Sequence, residues 1–287
     1  MKIFFLGHLG LGDHFVYAGM MRWLAAANTE ELKIVCKHMN LSTLKQLYSD
    51  DPKITFYPVG DDNEISPHYG APRSTIESIA AAGYTIIAVG THGAQAHTYL
   101  QLDPCWANTF YKEIGVDSSA RFSHWRTPFP LTAAEKKWRS LLGALYGQDY
   151  VVVHDDPSRN FGIDYIYVHH RLRLAGKEHL PIVYLGKDRY KEELITGLNN
   201  PTHIASILEC ESALDLVLIM RHAAVVHMMD SSLAILLDLS LKPDDPLTTK
   251  QERVSYMKYE MLPTSTGLYQ NKWSYYSPRT NPYSEEI

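Results

Sequence analysis

The chain has 287 residues, of which 45% are hydrophobic and 21% are charged, and its formal net charge at pH 7 is -5. This composition is typical of a soluble globular protein long enough for two ordinary domains, and it excludes disordered and fibrous chains. The acidic balance argues against a nucleic-acid-binding surface, and no apolar run approaches the length of a membrane span.

The cysteines bear on the compartment in which the protein folds. Cys36, Cys105 and Cys210 lie far apart and are odd in number, so they fit neither a disulfide framework nor a zinc site and indicate a reducing environment. The opening residues lack the long apolar core and the small-residue cleavage site of a secretory signal. The sequence therefore predicts a cytoplasmic protein with no transmembrane segment.

The chain opens with a predicted strand, loop and helix. Residues 3–6 form an uncharged apolar run that is typical of a strand buried on both faces of a parallel sheet. Gly7, Gly10 and Gly12 follow, and we expect positive φ angles there and close approach of another molecule to the backbone. A helix with regular apolar spacing then begins at Asp13, which can serve only as the helix N-cap or can have a chemical role. Ligands of open α/β sheets bind beyond the carboxyl ends of the strands, so this loop is predicted to face the ligand.

Strands and helices keep alternating as far as the proline-marked residues 127–130, which predict a domain boundary. This alternation predicts a mostly parallel, doubly wound sheet, and its right-handed crossovers place the loops at residues 10–14 and 90–97 on one rim. The aromatic residues between 97 and 130 are predicted to fill a core, with stacking on a sugar or base as the alternative. Further strands are predicted at 32–36, 54–59 and 84–89, and helices at 41–48 and 74–82.

A second α/β pattern follows, so the chain is predicted to form two Rossmann-like, doubly wound domains that face each other across a cleft. The predicted limits are 1–135 and 136–262, with a tail at 263–287 that packs back on the body, the first domain being the expected place. Strands are predicted at 150–153, 182–185, 202–205 and 223–227, and helices at 132–146, 163–175, 211–220 and 233–239.

The best candidate for a phosphate site is Asp230-Ser231-Ser232, which follows a predicted buried strand and precedes an apolar helix. The serine hydroxyls and the free N–H groups of the first helical turn can hold a diphosphate. Arg159 follows the opposing strand and can neutralise the same phosphates. The structural alternatives are helix capping for the serines and an exposed surface charge for the arginine.

No pattern predicts a resident metal or cofactor. The chain contains no Asp-x-Asp sequence, so a diphosphate held by backbone dipoles and cations is favoured over one bridged by a metal. Histidines are frequent near the predicted strand ends, but without the spacing of a zinc hydrolase. Each is expected to be structural or to contact substrate: His8, His14, His92, His97, His154 and His227.

The residues from Gly10 to His14, with the strand before them and the helix after them, resemble the start of GT-B glycosyltransferases related to the bacterial heptosyltransferases. The 151–154 strand with Arg159, and the 225–227 strand with residues 230–232, resemble the donor half of that architecture. The resemblance covers most of the chain in element order, and only its first and last motifs match at residue level.

This resemblance implies an acceptor-binding first domain and a nucleotide-sugar-binding second domain. It implies that Asp13 is the catalytic base and that residues 230–232 form the donor-phosphate loop. The lysine that the family carries after the first donor-domain strand has no clear counterpart, because Arg159-Asn160-Phe161 stand there, so the donor is left open. Donor contacts are expected at Gly12, His154, Arg159, Lys187, Asp230, Ser231 and Ser232, and acceptor contacts at His8, His92 and His97.

The resulting hypothesis is an inverting glycosyl transfer from a nucleotide sugar that requires neither a metal ion nor another cofactor. The acceptor, a glycan or another hydroxyl compound, gives its proton to Asp13, and the nucleoside diphosphate leaves towards Ser231, Ser232 and Arg159. A helix N-terminus keeps the carboxylate ionised but makes it a weak base, so stabilisation of the leaving group carries much of the rate. His14 is the alternative base, better matched to neutral pH.

Two other functions stay open at this point. A two-domain protein that closes on a small anionic ligand needs the same phosphate loop but no base. A sugar-nucleotide epimerase on the same fold acts on the donor without any acceptor. Product formation with nucleotide sugars and acceptors distinguishes the three, while the sugar, the nucleotide, the acceptor and the oligomeric state are left open.

Overall fold

The chain folds into two α/β units. One comprises Met1–Pro128 and Pro263–Leu268, and the other comprises Phe129–Leu262 and Tyr269–Ile287. The first unit ends at residue 128 and the second begins at residue 129. The limit predicted from the sequence was residue 135. The predicted α/β class with two Rossmann-like sheets is confirmed, and the cleft between them stays a prediction. The computed structural model describes residues 1–67, 70–90, 105–127, 131–155, 163, 165–185, 202–204, 210, 212–229, 231–242, 245–256 and 268–276.

The first unit is built on a four-stranded sheet in the order β3-β2-β1-β4, and every neighbouring pair is parallel. The side chains of Ile3, Phe4 and Phe5 in β1 are buried, as expected for an uncharged central strand. The elements are β1 Lys2–Leu6, β2 Glu31–Lys37, β3 Ile54–Val59 and β4 Tyr84–Ala88, with helices α1 Leu11–Val16, α2 Ala18–Ala26, α3 Leu41–Leu47, α4 Arg73–Ala81, α5 Trp106–Glu113 and α6 Ala120–Ser123.

The second unit is built on a six-stranded parallel sheet in the order β10-β9-β8-β5-β6-β7. The strands of the predicted second domain are all present among them. The elements are β5 Val151–His154, β6 Ile182–Leu185, β7 Thr202–Ile204, β8 Val225–Met229, β9 Glu252–Tyr256 and β10 Ser274–Tyr276, with helices α7 Leu131–Leu142, α8 Tyr165–Leu174, α9 Val217–Arg221, α10 Ser232–Ser240 and α11 Pro246–Lys250.

Each sheet contains a point at which the strand order reverses. In the first unit β1 lies between β2 and β4, and in the second unit β5 lies between β6 and β8. Loops that leave the carboxyl ends of two such neighbouring strands turn to opposite faces and leave a crevice between them, where ligands of this class of sheet bind. Ligands of the two sheets are therefore expected at these two places.

The opening helix differs from its prediction in two ways. It is interrupted at Tyr17, which separates α1 from α2. Second, Gly7, Gly10 and Gly12, which precede or begin this helix, do not have positive φ angles. Gly7 is needed for packing instead, since a Cβ at this position would lie 2.9 Å from Cε1 of Phe5.

The end of the chain corrects a second expectation. Sequence periodicity did not indicate β9 and β10, yet both extend the second sheet beyond β8. Leu268 belongs to the first unit, whereas the segment from Tyr269 onwards belongs to the second. Residues after 276 lie outside the described part of the chain.

A buried carboxylate anchors this last segment. Asp238 in α10 is 1% exposed, and its side chain accepts hydrogen bonds from the Gln270 N–H (2.7 Å), the Asn271 N–H (3.1 Å) and Nε1 of Trp273 (3.0 Å). Burial raises the pKa of Asp238, and these hydrogen bonds act in the opposite direction. Through these hydrogen bonds the carboxylate holds residues 270–273, which directly precede β10.

Two further observations concern the cysteines and the helices. Among the described residues, Cys36, Cys105 and Cys210 form no disulfide bond. In the part of the chain that the structure describes, no helix is both long and apolar enough to span a membrane.

Candidate functional site

The carboxylate of Asp13 stands at the start of α1, after the carboxyl end of β1. The helix begins at Leu11 with Gly10 at the N-cap, so Asp13 is the third helical residue and is not the cap. Its side chain is partly exposed and turns back over the loop, because a Cβ on Gly10 would lie only 2.6 Å from Oδ2 of Asp13. Residue 10 thus has to be small for the carboxylate to occupy this place.

Two side chains fasten the loop that carries Asp13. The hydroxyl of Tyr17 donates a hydrogen bond to the carbonyl of His8 (2.6 Å), and Nδ2 of Asn40 donates to the carbonyl of Leu9 (3.0 Å). Tyr17 and Asn40 are both buried. Because buried carbonyl groups need partners, these contacts hold the loop in one conformation. No local pattern in the sequence points to either residue.

The loop after β4 contacts the loop after β1. Nε2 of His8 donates to the carbonyl of Gly90 (3.1 Å), and the Gly90 N–H donates to Oε2 of Glu113 (2.7 Å). Gly90 has a φ of 74°, and a Cβ there would collide with the ring of His8. Of the rim predicted for the loops at 10–14 and 90–97, the structure describes only Gly90 in the second loop, which contacts His8, two residues before the first loop; the rim as a whole stays a prediction. Burial lowers the pKa of His8, so its ring is neutral and is engaged with the backbone.

His14 does not have the properties of a base matched to neutral pH. Its side chain is 2% exposed, its ring lies edge-on to Tyr17 (5.7 Å between centroids), and its Nε2 has no hydrogen-bond partner. Burial, together with the charge of Lys37, lowers the pKa of His14 to about 3. The reason that the sequence offered for choosing His14 is thereby removed.

The second reversal point brings together the ends of β5 and β8, where His154 pairs in register with Met228. His154 is buried, and its Nδ1 donates to the carbonyl of Leu185 at the end of β6 (2.6 Å). The next residue, Asp155, is also buried and accepts a hydrogen bond from the hydroxyl of Tyr165 (3.2 Å). Asp155 follows the predicted donor contact His154 and was not among the predicted site residues.

Ser231 occupies the N-cap of α10, directly after β8. Its φ and ψ are -147° and 177°, and its hydroxyl makes no capping hydrogen bond. The hydroxyl is buried, since the residue is 1% exposed, and it has no hydrogen-bond partner. Ser232 follows as the first helical residue and is partly exposed. The capping alternative is therefore not realised for Ser231, whose hydroxyl is buried and unsatisfied at the start of a helix.

His227 lies within the sheet rather than at its edge. The strand β8 continues to Met229, two residues beyond the predicted end. Nδ1 of His227 and the hydroxyl of Tyr256 share a hydrogen bond of 2.9 Å, while Nε2 has no partner. The side chain is fully buried, and burial lowers its pKa to about 3. His227 is thus a neutral core residue.

Gly12, a predicted donor contact, is the second residue of α1 and is partly exposed. Among the described residues, no three His, Cys, Asp or Glu side chains are grouped so that they could hold a metal ion. Five predicted site residues lie outside the described part of the chain and stay predictions: His92, His97, Arg159, Lys187 and Asp230.

Comparison with known proteins gives matches in structure only, because no protein-family model and no curated protein sequence matches the chain. The glycosyl transferase family 9 structure from Veillonella parvula has a TM-score of 0.60 at 13% identity, over 96% of this chain and 87% of that one. ADP-heptose LPS heptosyltransferase II from E. coli has a TM-score of 0.61 at 11% identity, over 96% and 90%. The iron-containing dodecameric glycosyltransferase TibC from enterotoxigenic E. coli has a TM-score of 0.55 at 13% identity, over 97% and 62%.

Identities this low establish a shared fold and nothing finer. The likeness extends over nearly the whole chain, so it includes both sheets and both reversal points. The chain therefore has the two-domain GT-B fold of these heptosyltransferase-like glycosyltransferases, as its first and last motifs predicted.

Proposed function

We propose that the chain is a glycosyltransferase that moves a sugar from a nucleotide-sugar donor to an acceptor hydroxyl. The observation that carries the proposal is the unpartnered, buried hydroxyl of Ser231 at the N-terminus of the nine-residue helix α10. Helix N-termini offer free N–H groups and a positive potential, so a diphosphate bound here would receive hydrogen bonds from the backbone and from this hydroxyl. The fold shared with solved glycosyltransferases supports the same conclusion.

The chemistry then divides between the two reversal points. At the first, Asp13 takes the proton of the acceptor hydroxyl while the oxygen attacks the anomeric carbon. At the second, the bond to the diphosphate breaks, and its charge is stabilised by Ser231, Ser232 and the start of α10. A single base on the acceptor side predicts inversion at the anomeric carbon. Arg159 and Lys187 are proposed to contribute positive charge to the donor phosphates.

The donor to test first is ADP-heptose, because one of the structures similar to this chain is named as an ADP-heptose heptosyltransferase. Nucleotide hexoses are the comparators. His154 is a second proposed donor contact. Its Nδ1 donates to the carbonyl of Leu185, which fixes the orientation of the ring at the end of β5.

The proposal is tested by following product formation with each nucleotide sugar in the presence and absence of hydroxyl acceptors. Release of nucleoside diphosphate together with a glycosylated acceptor supports the transferase. Conversion of the donor sugar without any acceptor identifies an epimerase. Binding of nucleotide sugars without turnover over the whole panel identifies the non-catalytic binding protein.

Ser231→Ala separates a phosphate contact from a structural role. Because its hydroxyl is buried and unsatisfied, we expect its removal to leave the unfolding midpoint unchanged or slightly raised. Affinity for ADP is expected to fall by about tenfold, the loss of one hydrogen bond to a charged group. Isothermal titration and thermal unfolding check both numbers on the same sample.

Ser240→Ala is the matched control at the other end of α10, where the hydroxyl donates to the carbonyl of Leu237 (2.7 Å). It should leave ADP affinity as it is and cost a little stability. A Ser231→Ala protein that loses stability and keeps its affinity for ADP would assign Ser231 to the helix cap and remove the main support of the proposal.

Tyr17→Phe tests whether the fastened loop matters for turnover. The change deletes the hydrogen bond to the His8 carbonyl and keeps the ring contacts with Phe5 and Phe110. We expect kcat to fall by about tenfold with KM for the donor unchanged, because Asp13 is then held less firmly.

Tyr111→Phe is the control for Tyr17→Phe. Its hydroxyl is equally buried and donates to the carbonyl of Val16 (2.8 Å), so it supports the helices and not the loop. Equal losses of kcat in both variants would mean that general destabilisation, rather than positioning of the loop, explains the effect.

A further inference from the structure

A groove of about 380 Å³ opens on the first unit, on the face of the sheet that α4 only partly covers. Its walls include Phe4, Lys33, Tyr57 and Tyr84 from the four strands and Ser74 and Ser78 from α4. We call it the α4 groove. Tyr84 is the first residue of β4 and pairs with Lys2 at the start of β1. The groove therefore reaches towards the amino ends of these strands, whereas the candidate site lies beyond their carboxyl ends.

Parallel sheets are normally apolar on both faces because helices cover them. In β2, however, Glu31, Lys33 and Lys37 alternate with the buried residues Leu32, Ile34 and Cys36. The charged residues fall on the side of Phe4, which pairs in register with Lys33. Val35, on the same face, is fully buried and packs in one core cluster with Phe4 and Ile79 of α4, so only the amino-terminal part of this face, at Glu31 and Lys33, is left for water or a polar ligand.

The aromatic side chains of the groove have a definite arrangement. The ring of Tyr57 stands at 70° to that of Phe4 (5.4 Å between centroids), and the ring of Tyr84 stands at 80° to it (6.3 Å). Phe4 is 1% exposed, whereas Tyr57 is 37% exposed. Phe4 consequently forms the floor. Nζ of Lys33 lies over the Tyr84 ring (4.8 Å to its centroid), so the ring surface left for a ligand is that of Tyr57.

The charges at the floor neutralise one another. Nζ of Lys33 donates to the hydroxyl of Tyr84 (2.7 Å), which donates to Oε2 of Glu31 (2.6 Å), and Lys33 and Glu31 form an ion pair (3.3 Å). The hydroxyl of Thr55 donates to the other oxygen of Glu31 (2.9 Å). A ligand with a net charge gains no unpaired countercharge here, so the groove favours a neutral one.

The side of the groove formed by α4 carries hydroxyl groups. Ser74 and Ser78 are four residues apart and hence lie on one face of the helix, and both are exposed. A hydroxyl can both donate and accept, so it suits a ligand whose own polar groups do the same. Neutral compounds with an apolar ring face and many hydroxyls are sugars.

We propose that the α4 groove binds a neutral saccharide, at a site separate from the one at the carboxyl ends of the strands. One sugar ring lies against Tyr57, with its hydroxyls towards Ser74, Ser78 and the Glu31–Lys33 pair. In the proposed transferase, such a site would hold a part of a glycan acceptor remote from the reacting hydroxyl. The binding itself does not depend on the transferase proposal, because it can be measured without any nucleotide sugar.

The experiment is saturation-transfer NMR on the full chain with the methyl glycosides of glucose, galactose, mannose and heptose as probes. We expect transfer from the protein to at least one glycoside. Tyr57→Ala removes one wall at a partly exposed position, and Ser78→Leu fills the groove from an exposed helix position. Each should weaken binding by about tenfold.

Ala80→Leu is the matched control, since Ala80 is exposed on the same helix and receives the same new side chain without lining the groove. It should bind as the unmodified protein does. The inference is overturned if no glycoside shows transfer, if only a planar ligand such as adenosine does, or if the three variants bind alike. Asp13→Asn should keep the glycoside binding, so loss of turnover and loss of this site are distinguished.

Discussion

Replacing Asp13 with Asn is expected to lower kcat about a thousandfold, the usual contribution of a positioned general base. Asn has nearly the same shape and can keep a hydrogen bond at the start of α1, so the fold and the affinity for ADP should survive. The measurement is turnover with the donor identified above, beside the unfolding midpoint and ADP affinity of the same protein. Turnover close to that of the unmodified chain would exclude Asp13 as the base.

Gly10→Ala gives an independent test of the same carboxylate. The φ of Gly10 is -67°, which alanine adopts without strain, but its Cβ would lie 2.6 Å from Oδ2 of Asp13. The flexible carboxylate has to move, which costs little stability but spoils its position. We expect a loss of kcat of about a hundredfold with an unchanged unfolding midpoint. If Gly10→Ala is fully active, the carboxylate does not need the place in which the structure has it.

Acidification is expected to destabilise both units between pH 6.5 and pH 3, because each contains a buried neutral histidine. Burial lowers the pKa of His14 and of His227 to about 3. In the unfolded chain the same groups titrate near 6.5, so below that pH the unfolded state binds more protons, and the free energy of unfolding falls as the pH falls. Each histidine contributes roughly 1.4 kcal/mol per pH unit, up to about 4 kcal/mol near pH 3.

This effect is large beside the stability of ordinary domains, which is about 5–15 kcal/mol. Urea unfolding at a series of pH values should show a steep fall below pH 6.5, in addition to what other groups contribute. His14→Phe and His227→Phe remove the titrating ring and should each flatten the curve. His179→Phe, at an exposed position, is the control and should change nothing. Equal slopes in all four proteins would show that neither ring is excluded from water.

The strands β1 and β5, which sequence periodicity predicted, share one physical property, an apolar run that the sheet buries on both faces. Val151, Val152 and Val153 are fully buried and lie in β5 as expected. The strand β9 was missed because Arg253 interrupts such a run. That guanidinium is buried nevertheless, since it donates to the carbonyls of Lys272 and Thr248 (both 3.0 Å). Only the folded chain supplies these acceptors.

The candidate site shows the same limit. The motif from Gly10 to His14 and the pair Ser231-Ser232 could be found locally, because loops at strand ends carry a recognisable composition. The burial of His14 and the fastening of the loop by Tyr17 and Asn40 depend on residues distant in the chain. Those relations set the pKa of the ring and the place of the carboxylate, so composition and spacing do not contain them.

The route of the chain has a consequence for dividing the gene. Strand β10 follows residues 263–268, which belong to the first unit. A fragment ending at Leu262 would therefore lack the outermost strand of the second sheet. It would also leave Asp238 in the interior without the donors of Gln270, Asn271 and Trp273. Neither half is therefore a contiguous, self-sufficient piece, and a split protein should regain its solubility only when the stretch from 269 to 276 is returned to the latter half.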